Sequence, residues 1–209
     1  MRRISSLVRV GALGAALLFG SAVAQTFTPP AHDFHVASAG KYAIDPAHTA
    51  VIAYVSHVGF SNEAFRFLKV NGELAWDPNN PAADALTVTV DPKSIATADT
   101  GATDFAAELQ GEKFLNSAKF AAASFVSHRF RPTDASHGFV DGDLTIMGHT
   151  HPAMFNVELI GAGPEFGRWI ALGVHAETQI NPNDYGLAPP FFTLPIKLVI
   201  DTEFHKPVA

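Results

Sequence analysis

Hydrophobic and polar residues alternate along much of this 209-residue chain. In residues 86–90, Leu and Val alternate with Thr, and a similar alternation recurs in residues 155–159 and 196–200. A period of two predicts β-strands with one buried and one solvated face. Longer strand candidates of about ten residues occupy the regions around them: 49–58, 65–76, 122–131, 138–147 and 169–180.

Turn-forming residues separate these candidates, among them Asn71-Gly72, Gly148 and Asn181-Pro182-Asn183. Seven or eight strands without a βαβ rhythm predict an antiparallel sheet that closes or packs on itself. Strands of about ten residues suit a barrel of tilted strands better than a sandwich. We therefore predict one all-β domain over residues 41–206.

One segment departs from the strand pattern. Phe105 and Leu109 lie four residues apart, Thr103 or Asp104 can cap a helix before them, and Gly111 can end it. This spacing predicts one short helix that packs its Phe105 and Leu109 face against the sheet.

Residues 1–24 have the organisation of a secretory signal peptide. A basic start is followed by an uncharged stretch at 10–23 and by an Ala22-Val23-Ala24 cleavage site. This apolar stretch is short for a membrane anchor, because a spanning helix needs roughly 20 residues. We expect cleavage after Ala24, export to the periplasm and a flexible lead-in over residues 25–40.

The amino-acid composition excludes several kinds of functional site. The absence of cysteine excludes disulfide frameworks, thiol catalysis and Cys-based zinc or iron–sulfur sites. The formal net charge of -6 becomes -9 without the three leader arginines, which leaves no basic footprint for nucleic acid. The 47% hydrophobic content and 17 Phe residues indicate a large apolar interior.

Histidine is the residue type that could suggest a reactive site. His149 and His151 would share a strand face and could supply two metal ligands, but no third ligand is evident nearby and Gly148 marks a turn. We favour a solvated turn there, and metal binding by this pair stays open. The chain has no G-x-S-x-G elbow. The residues alone therefore give no support for a hydrolase, and we predict no catalytic residue, no metal site and no required cofactor.

Several ordered motifs run along the domain from about Tyr42 to Phe204. They include Asp45-Pro46-Ala47-His48-Thr49, His57-Val58-Gly59-Phe60-Ser61, and the stretch 140–148 followed by Pro152. Together they closely resemble the YceI-like proteins, a bacterial family of exported proteins that bind lipids or polyisoprenoids.

The resemblance implies a lipocalin-like, extended barrel of eight antiparallel strands with a helix packed against it. Such a barrel would enclose an apolar tunnel for an isoprenoid or fatty chain. Motif position and strand parity suggest His57 and Ser61 as contacts for the ligand head group. On the same grounds, the expected tunnel wall consists of Phe60, Phe67, Leu109, Phe114, Phe125, Ile146 and Trp169.

We therefore expect an exported protein that carries, stores or buffers a long-chain amphiphilic lipid. A quinone has an isoprenoid tail that would fit the same tunnel, so a quinone-handling redox partner or an exported enzyme is the alternative. The sequence leaves open a transient contact with a membrane or membrane protein, and a homodimer.

Three positions depart from the family pattern. Phe65 stands where a small residue is usual, and Ala53 stands where a large aromatic residue is common. The turn at 182–186 lacks the family's arginine. These departures bear on the width of the tunnel and the identity of the ligand, and not on the fold.

Overall fold

The computed structural model describes residues 29–98, 101, 104–187, 192 and 194–208. Within these residues the chain forms one α-helix, α1 (Phe105–Gln110), and no helix long and apolar enough to cross a membrane. It also forms eleven strands: β1 (Gly40–Ile44), β2 (Ala50–His57), β3 (Ser61–Phe67), β4 (Val70–Trp76), β5 (Ala85–Val90), β6 (Ile95–Ala96), β7 (Ala123–Pro132), β8 (His137–Ile146), β9 (His149–Glu165), β10 (Trp169–Ile180) and β11 (Ile196–Pro207).

Eight of the strands form a closed antiparallel barrel in the order β1, β4, β5, β7, β8, β9, β10, β11. The barrel closes between β1 and β11, where Ala43 lies opposite His205 and Ile44 lies opposite Phe204. Closure pairs the strand edges that an open sheet would expose. The predicted all-β, eight-stranded barrel is confirmed.

The remaining strands extend the sheet from β11. The first half of β11 pairs with β2, and β2 is followed in the sheet by β3 and β6. Helix α1 packs on this extension: Leu109 is 5% exposed, and the ring centroids of Phe105 and Phe65 lie 6.2 Å apart. The Asp104 side chain accepts a hydrogen bond from the Ala107 N–H, as expected of an N-cap. The predicted helix is thus confirmed.

Side-chain alternation separates the interior of the barrel from its outer face. In β11, Leu198 and Ile200 face the interior, whereas the alternating residues Asp201, Glu203 and His205 carry ionisable groups that form ion pairs. The period of two in the sequence therefore corresponds to the two faces of one wall.

The segment before β1 contributes to the interior. The Phe34 N–H donates to the carbonyl of Ala135 in the β7–β8 turn, and the Phe34 ring lies 5.6 Å from that of Trp76. Ala37 is fully buried. The sequence predicts a flexible lead-in over residues 25–40, of which the structure describes the part from residue 29 and packs it against one end of the barrel.

Candidate ligand cavity

The barrel encloses a cavity of about 180 Å³. Strands from around the barrel contribute to its wall, and the surface that faces the cavity is apolar. Typical wall residues are Leu74 of β4, Val88 of β5, Phe125 of β7, Leu172 of β10 and Phe204 of β11. Because these are the inward positions of alternating strands, the same pattern that folds the barrel also makes its interior apolar.

The volume of the cavity limits what it can hold without rearrangement. An apolar protein cavity of roughly 150 Å³ can take up benzene. A cavity of about 180 Å³ therefore accommodates a group of similar size. A chain of ten or more carbons needs more space, so side chains at one end of the cavity must move to admit it.

Clustered aromatic and aliphatic side chains fill the barrel on the side of α1. Phe125 and Leu144 belong both to the cavity wall and to a buried cluster that continues towards the β10–β11 connection. Next to it lies a second cluster, which we call the α1 cluster: Phe65, Ile95, Leu109 and Phe114. The two clusters adjoin each other, since Ala53 and Val55 pack against both.

Asp84 is an acidic residue in the cavity wall, directly before β5. It is 7% exposed, and its Oδ1 accepts a hydrogen bond of 2.6 Å from the Asp77 N–H. Its Oδ2 is buried and has no hydrogen-bond partner. Burial raises the pKa of Asp84 to about 6, and the nearby Asp77 carboxylate acts in the same direction. Asp84 therefore has unused hydrogen-bonding capacity beside an apolar cavity.

Two other polar side chains of the wall are already paired. Arg131 donates two hydrogen bonds, of 2.6 and 2.8 Å, to Asp141, and this hydrogen bonding lowers the pKa of the Asp141 carboxyl. The hydroxyls of Thr202 and Thr49 lie 2.8 Å apart. Sequence reasoning missed Asp84, because an acid beside a Pro- and Asn-rich turn looks like a solvated residue.

The structure places the seven predicted wall residues at different depths. Phe125 lines the cavity. Leu109 and Phe114 are buried in the α1 cluster, Phe67 packs against that cluster, and Ile146 packs against the cluster around Phe125.

Phe60 and Trp169 lie outside the cavity wall. Phe60 is 91% exposed in the β2–β3 turn. Trp169 begins β10 and stacks on His205 of the outer face, because the inward positions of β10 are the alternating residues that start at Ile170. The predicted head-group contacts His57 and Ser61 are paired across the end of the β2–β3 hairpin, where both are exposed.

A family model of the YceI-like domain matches residues 42–204. The chain belongs to the YceI-like family. Among its relatives, a UPF0312 protein of Vibrio cholerae is 30% identical over 171 residues, which cover 81% of this chain and 87% of the relative. The resemblance inferred from the sequence motifs is thus confirmed.

Solved structures share the barrel of this YceI-like protein. Burkholderia cenocepacia BcnA superimposes with a TM-score of 0.62 at 18% identity, covering 77% of this chain and 98% of BcnA. A polyisoprenoid binding domain from Saccharophagus degradans, implicated in plant cell wall breakdown, gives a TM-score of 0.52 at 14% identity, with 79% and 98% covered. At these identities the similarity shows the fold alone.

The two histidines considered as metal ligands lie on a strand in this YceI-like protein. His149 and His151 begin β9, just after the Met147-Gly148 turn. The His151 ring packs edge-to-face on Tyr185, with centroids 5.3 Å apart. Within the described part of the chain, neither histidine belongs to a group of three side chains that could hold a metal ion.

Proposed function

We propose that this YceI-like protein is exported to the periplasm, where it holds an isoprenoid or another long-chain amphiphilic lipid inside its barrel for carriage, storage or buffering. The observation that carries the proposal is the apolar cavity within a closed barrel. Burial of apolar surface contributes roughly 25 cal/mol per Å², which favours a chain-like hydrocarbon ligand. The polyisoprenoid binding domain of similar fold makes an isoprenoid the first candidate and favours binding over catalysis.

The hydrocarbon chain of the proposed ligand occupies the cavity and extends towards α1. It displaces side chains of the α1 cluster, since the cavity alone holds only a benzene-sized group. Two positions could contact the polar head group. His57 and Ser61 are at the β2–β3 turn, and Asp84 is at the opposite end of the barrel, near the β4–β5 turn.

The ligand can be identified by purifying the protein from its native host, extracting it with organic solvent and analysing the extract by mass spectrometry. We expect a stoichiometric isoprenoid or fatty-chain lipid. A quinone in the extract would instead support the quinone-handling alternative, in which the same barrel presents a redox-active head group.

Two adjacent residues of β7 provide a matched test of the cavity. Phe125 lines the cavity, whereas Val126 is 43% exposed. We expect Phe125→Asp to abolish lipid retention, because it places a charge in an apolar wall. Val126→Asp introduces the same charge outside and should retain the lipid.

A second variant covers the case in which Phe125→Asp does not fold. Ala176 lines the cavity from β10, so Ala176→Leu reduces the cavity volume without adding a charge. It should fold and carry less lipid than the wild type. Unchanged lipid content in both folded cavity variants would contradict the proposed binding site.

A further inference from the structure

Five ionisable side chains converge on the outer face of the barrel, away from the lipid cavity. Glu203 and His205 lie two residues apart on β11 and therefore share a face. Glu165 ends β9, and Asp45 and His48 flank the turn that follows β1. None of the five belongs to the cavity wall. We refer to them as the outer cluster.

The donor atoms of the outer cluster are close to one another. The Glu203 Oε2 lies 3.1 Å from the His205 Nε2 and 3.7 Å from the His48 Nδ1. The His205 Nε2 also lies 3.0 Å from the Glu165 Oε2. The Asp45 Oδ2 lies 2.6 Å from the His48 Nδ1. Glu203 is thus shared by two groups of three, each with its donor atoms within 4.8 Å of one another.

This spacing suits a transition-metal ion. Zinc binds imidazole nitrogen and carboxylate oxygen at about 2.0–2.2 Å, so neighbouring donors of a tetrahedral site lie about 3.4 Å apart. The distances of 3.0, 3.1 and 3.7 Å that involve Glu165, Glu203, His205 and His48 bracket this value. Small adjustments of Glu165, Glu203 and His205 would therefore bring three protein donors to one ion.

One buried oxygen of the outer cluster is left without a hydrogen bond. The Nε2 of His205 faces two carboxylate oxygens, but an imidazole nitrogen carries at most one hydrogen to donate. It bonds to Glu203, and the buried Glu165 Oε2 has no hydrogen-bond partner. A metal ion bound to the unprotonated Nε2 would satisfy both carboxylates at once.

Three carboxylates of the outer cluster are paired only with histidines in the described part of the chain. Asp45, Glu165 and Glu203 lie together, and in the described part of the chain no lysine or arginine forms an ion pair with any of them. Their ion-pair partners are the two histidines. Like charges at short range repel strongly where burial lowers the effective dielectric constant, so a divalent cation would stabilise the arrangement.

We propose that Glu165, Glu203 and His205, whose donor atoms all lie within 4.8 Å of one another, bind one divalent first-row transition-metal ion such as Zn²⁺. The combination of imidazole and carboxylate favours zinc, nickel or copper. Calcium and magnesium prefer sites built from oxygen ligands alone.

Calorimetric titration of Zn²⁺ alone into the untagged, chelator-treated full chain tests this site. We expect one equivalent of Zn²⁺ to bind with micromolar or tighter affinity. His205→Gln and Glu203→Gln should each weaken binding by roughly tenfold or more, because even partners outside the immediate ligand set are commonly worth about ten- to a hundredfold. Circular dichroism without metal would confirm that each variant is folded.

A histidine on the neighbouring strand provides the matched control. His175 also lies between two carboxylates, 2.7 Å from Asp201 and 3.2 Å from Glu177, but Lys197 compensates Glu177 at 2.7 Å. His175→Gln should bind Zn²⁺ as the wild type does. Equal loss in His175→Gln, full binding in both folded outer-cluster variants, or no binding by the wild type would overturn the proposal.

Trp169 provides an independent readout of position. Its ring stacks on His205, with centroids 5.7 Å apart and planes inclined by 18°. Binding of paramagnetic Cu²⁺ to the outer cluster should therefore quench Trp169 fluorescence, and Trp169→Phe should remove the quenching while retaining the heat of Zn²⁺ binding. Quenching that persists in Trp169→Phe would come from Trp76, the other tryptophan of the chain, and would place the ion elsewhere.

Discussion

Ala53 and Phe65 face each other directly across β2 and β3. Phe65 is buried in the α1 cluster, and Ala53 packs against the same cluster. The family pattern has the sizes reversed, with a large residue at the first position and a small one at the second. The two departures therefore compensate each other in volume, and neither could be explained until the register of the two strands was known.

This pairing leads to a double-mutant prediction. Ala53→Phe alone should destabilise the protein by about 1–3 kcal/mol, because it overpacks a filled cluster. Phe65→Ala alone should also destabilise it, by about 3–5 kcal/mol, because it leaves a cavity. The double variant should lose less than the sum of the two, with a coupling of about 0.5–3 kcal/mol in urea unfolding. Additive losses would show that the two side chains do not share one space.

Asp84 should make the free energy of unfolding decrease as the pH rises. Its pKa is raised from 3.8 to about 6 by burial, so the folded state holds its proton more tightly than the unfolded state. Its contribution is complete below pH 3.8 and is lost as the pH rises through about 6. The raised pKa corresponds to at most about 3 kcal/mol of unfolding free energy. This is an upper bound because solvent screens part of the Asp84 charge.

Urea unfolding of Asp84→Asn and the wild type at pH 5 and pH 8 would measure this loss. The amide does not titrate, so the wild type should lose stability relative to Asp84→Asn between the two pH values. A constant difference between the two proteins across this range would contradict the raised pKa.

The β2–β3 turn combines strain with exposed apolar side chains. Val58 has φ 45° although it is β-branched, and it is 78% exposed. The left-handed conformation costs roughly 1–2 kcal/mol in a residue other than glycine, so Val58→Asn should stabilise the protein by about 1 kcal/mol. Thermal or urea unfolding would measure the gain. Exposed apolar residues at a strained turn are also typical of a contact surface.

We expect this turn to contact the membrane during lipid transfer. Phe60→Ser should slow lipid transfer from the protein to zwitterionic vesicles, because Phe60 is 91% exposed beside the proposed head-group contacts. Phe166 is the matched control, since it is 76% exposed in the β9–β10 turn at the opposite end of the barrel. Equal effects of Phe60→Ser and Phe166→Ser would argue against a specific contact at the β2–β3 turn.

Helices and strands were predictable where residues close together in the sequence determine them. A Thr or Asp able to cap the start, together with the spacing of Phe105 and Leu109, was sufficient to predict α1, and the structure selects Asp104 as the cap. The segment 65–76 was predicted as one strand, but it forms parts of β3 and β4 with a break at Leu68. There the Leu68 N–H donates to Ser94, a residue distant in sequence. A long-range hydrogen bond of this kind leaves no trace in the local pattern.

At the scale of the whole molecule, one part of the apolar interior is an open cavity, and another part, the α1 cluster, is filled with side chains. Alternation predicted an apolar interior, but it could not predict which part is open, because that depends on the packing of side chains from distant strands. Phe125 lines the cavity while Phe114 fills the α1 cluster, although both are aromatic residues of the same domain.

This division predicts that the α1 cluster controls lipid uptake. Phe114→Ala should destabilise the protein by about 3–5 kcal/mol and accelerate the uptake of a fluorescent isoprenoid analogue, because less packing must be broken. Phe34→Ala also removes an aromatic side chain from the cavity wall, but at the opposite end of the barrel, so entry beside α1 should leave the uptake rate unchanged. Stopped-flow fluorescence would measure both rates, and faster uptake in Phe34→Ala alone would place the opening at the other end.

The pairing of β1 with β11 also determines when the interior comes into existence. These are the first and last strands of the described chain, so their contact has a very large sequence separation, and contacts of this kind slow folding. Until β11 is in place, the wall of the barrel is open along its whole length. Under the export proposed above, an extended polypeptide crossing a membrane has no interior, so the proposed lipid would be acquired only after the last strand has arrived.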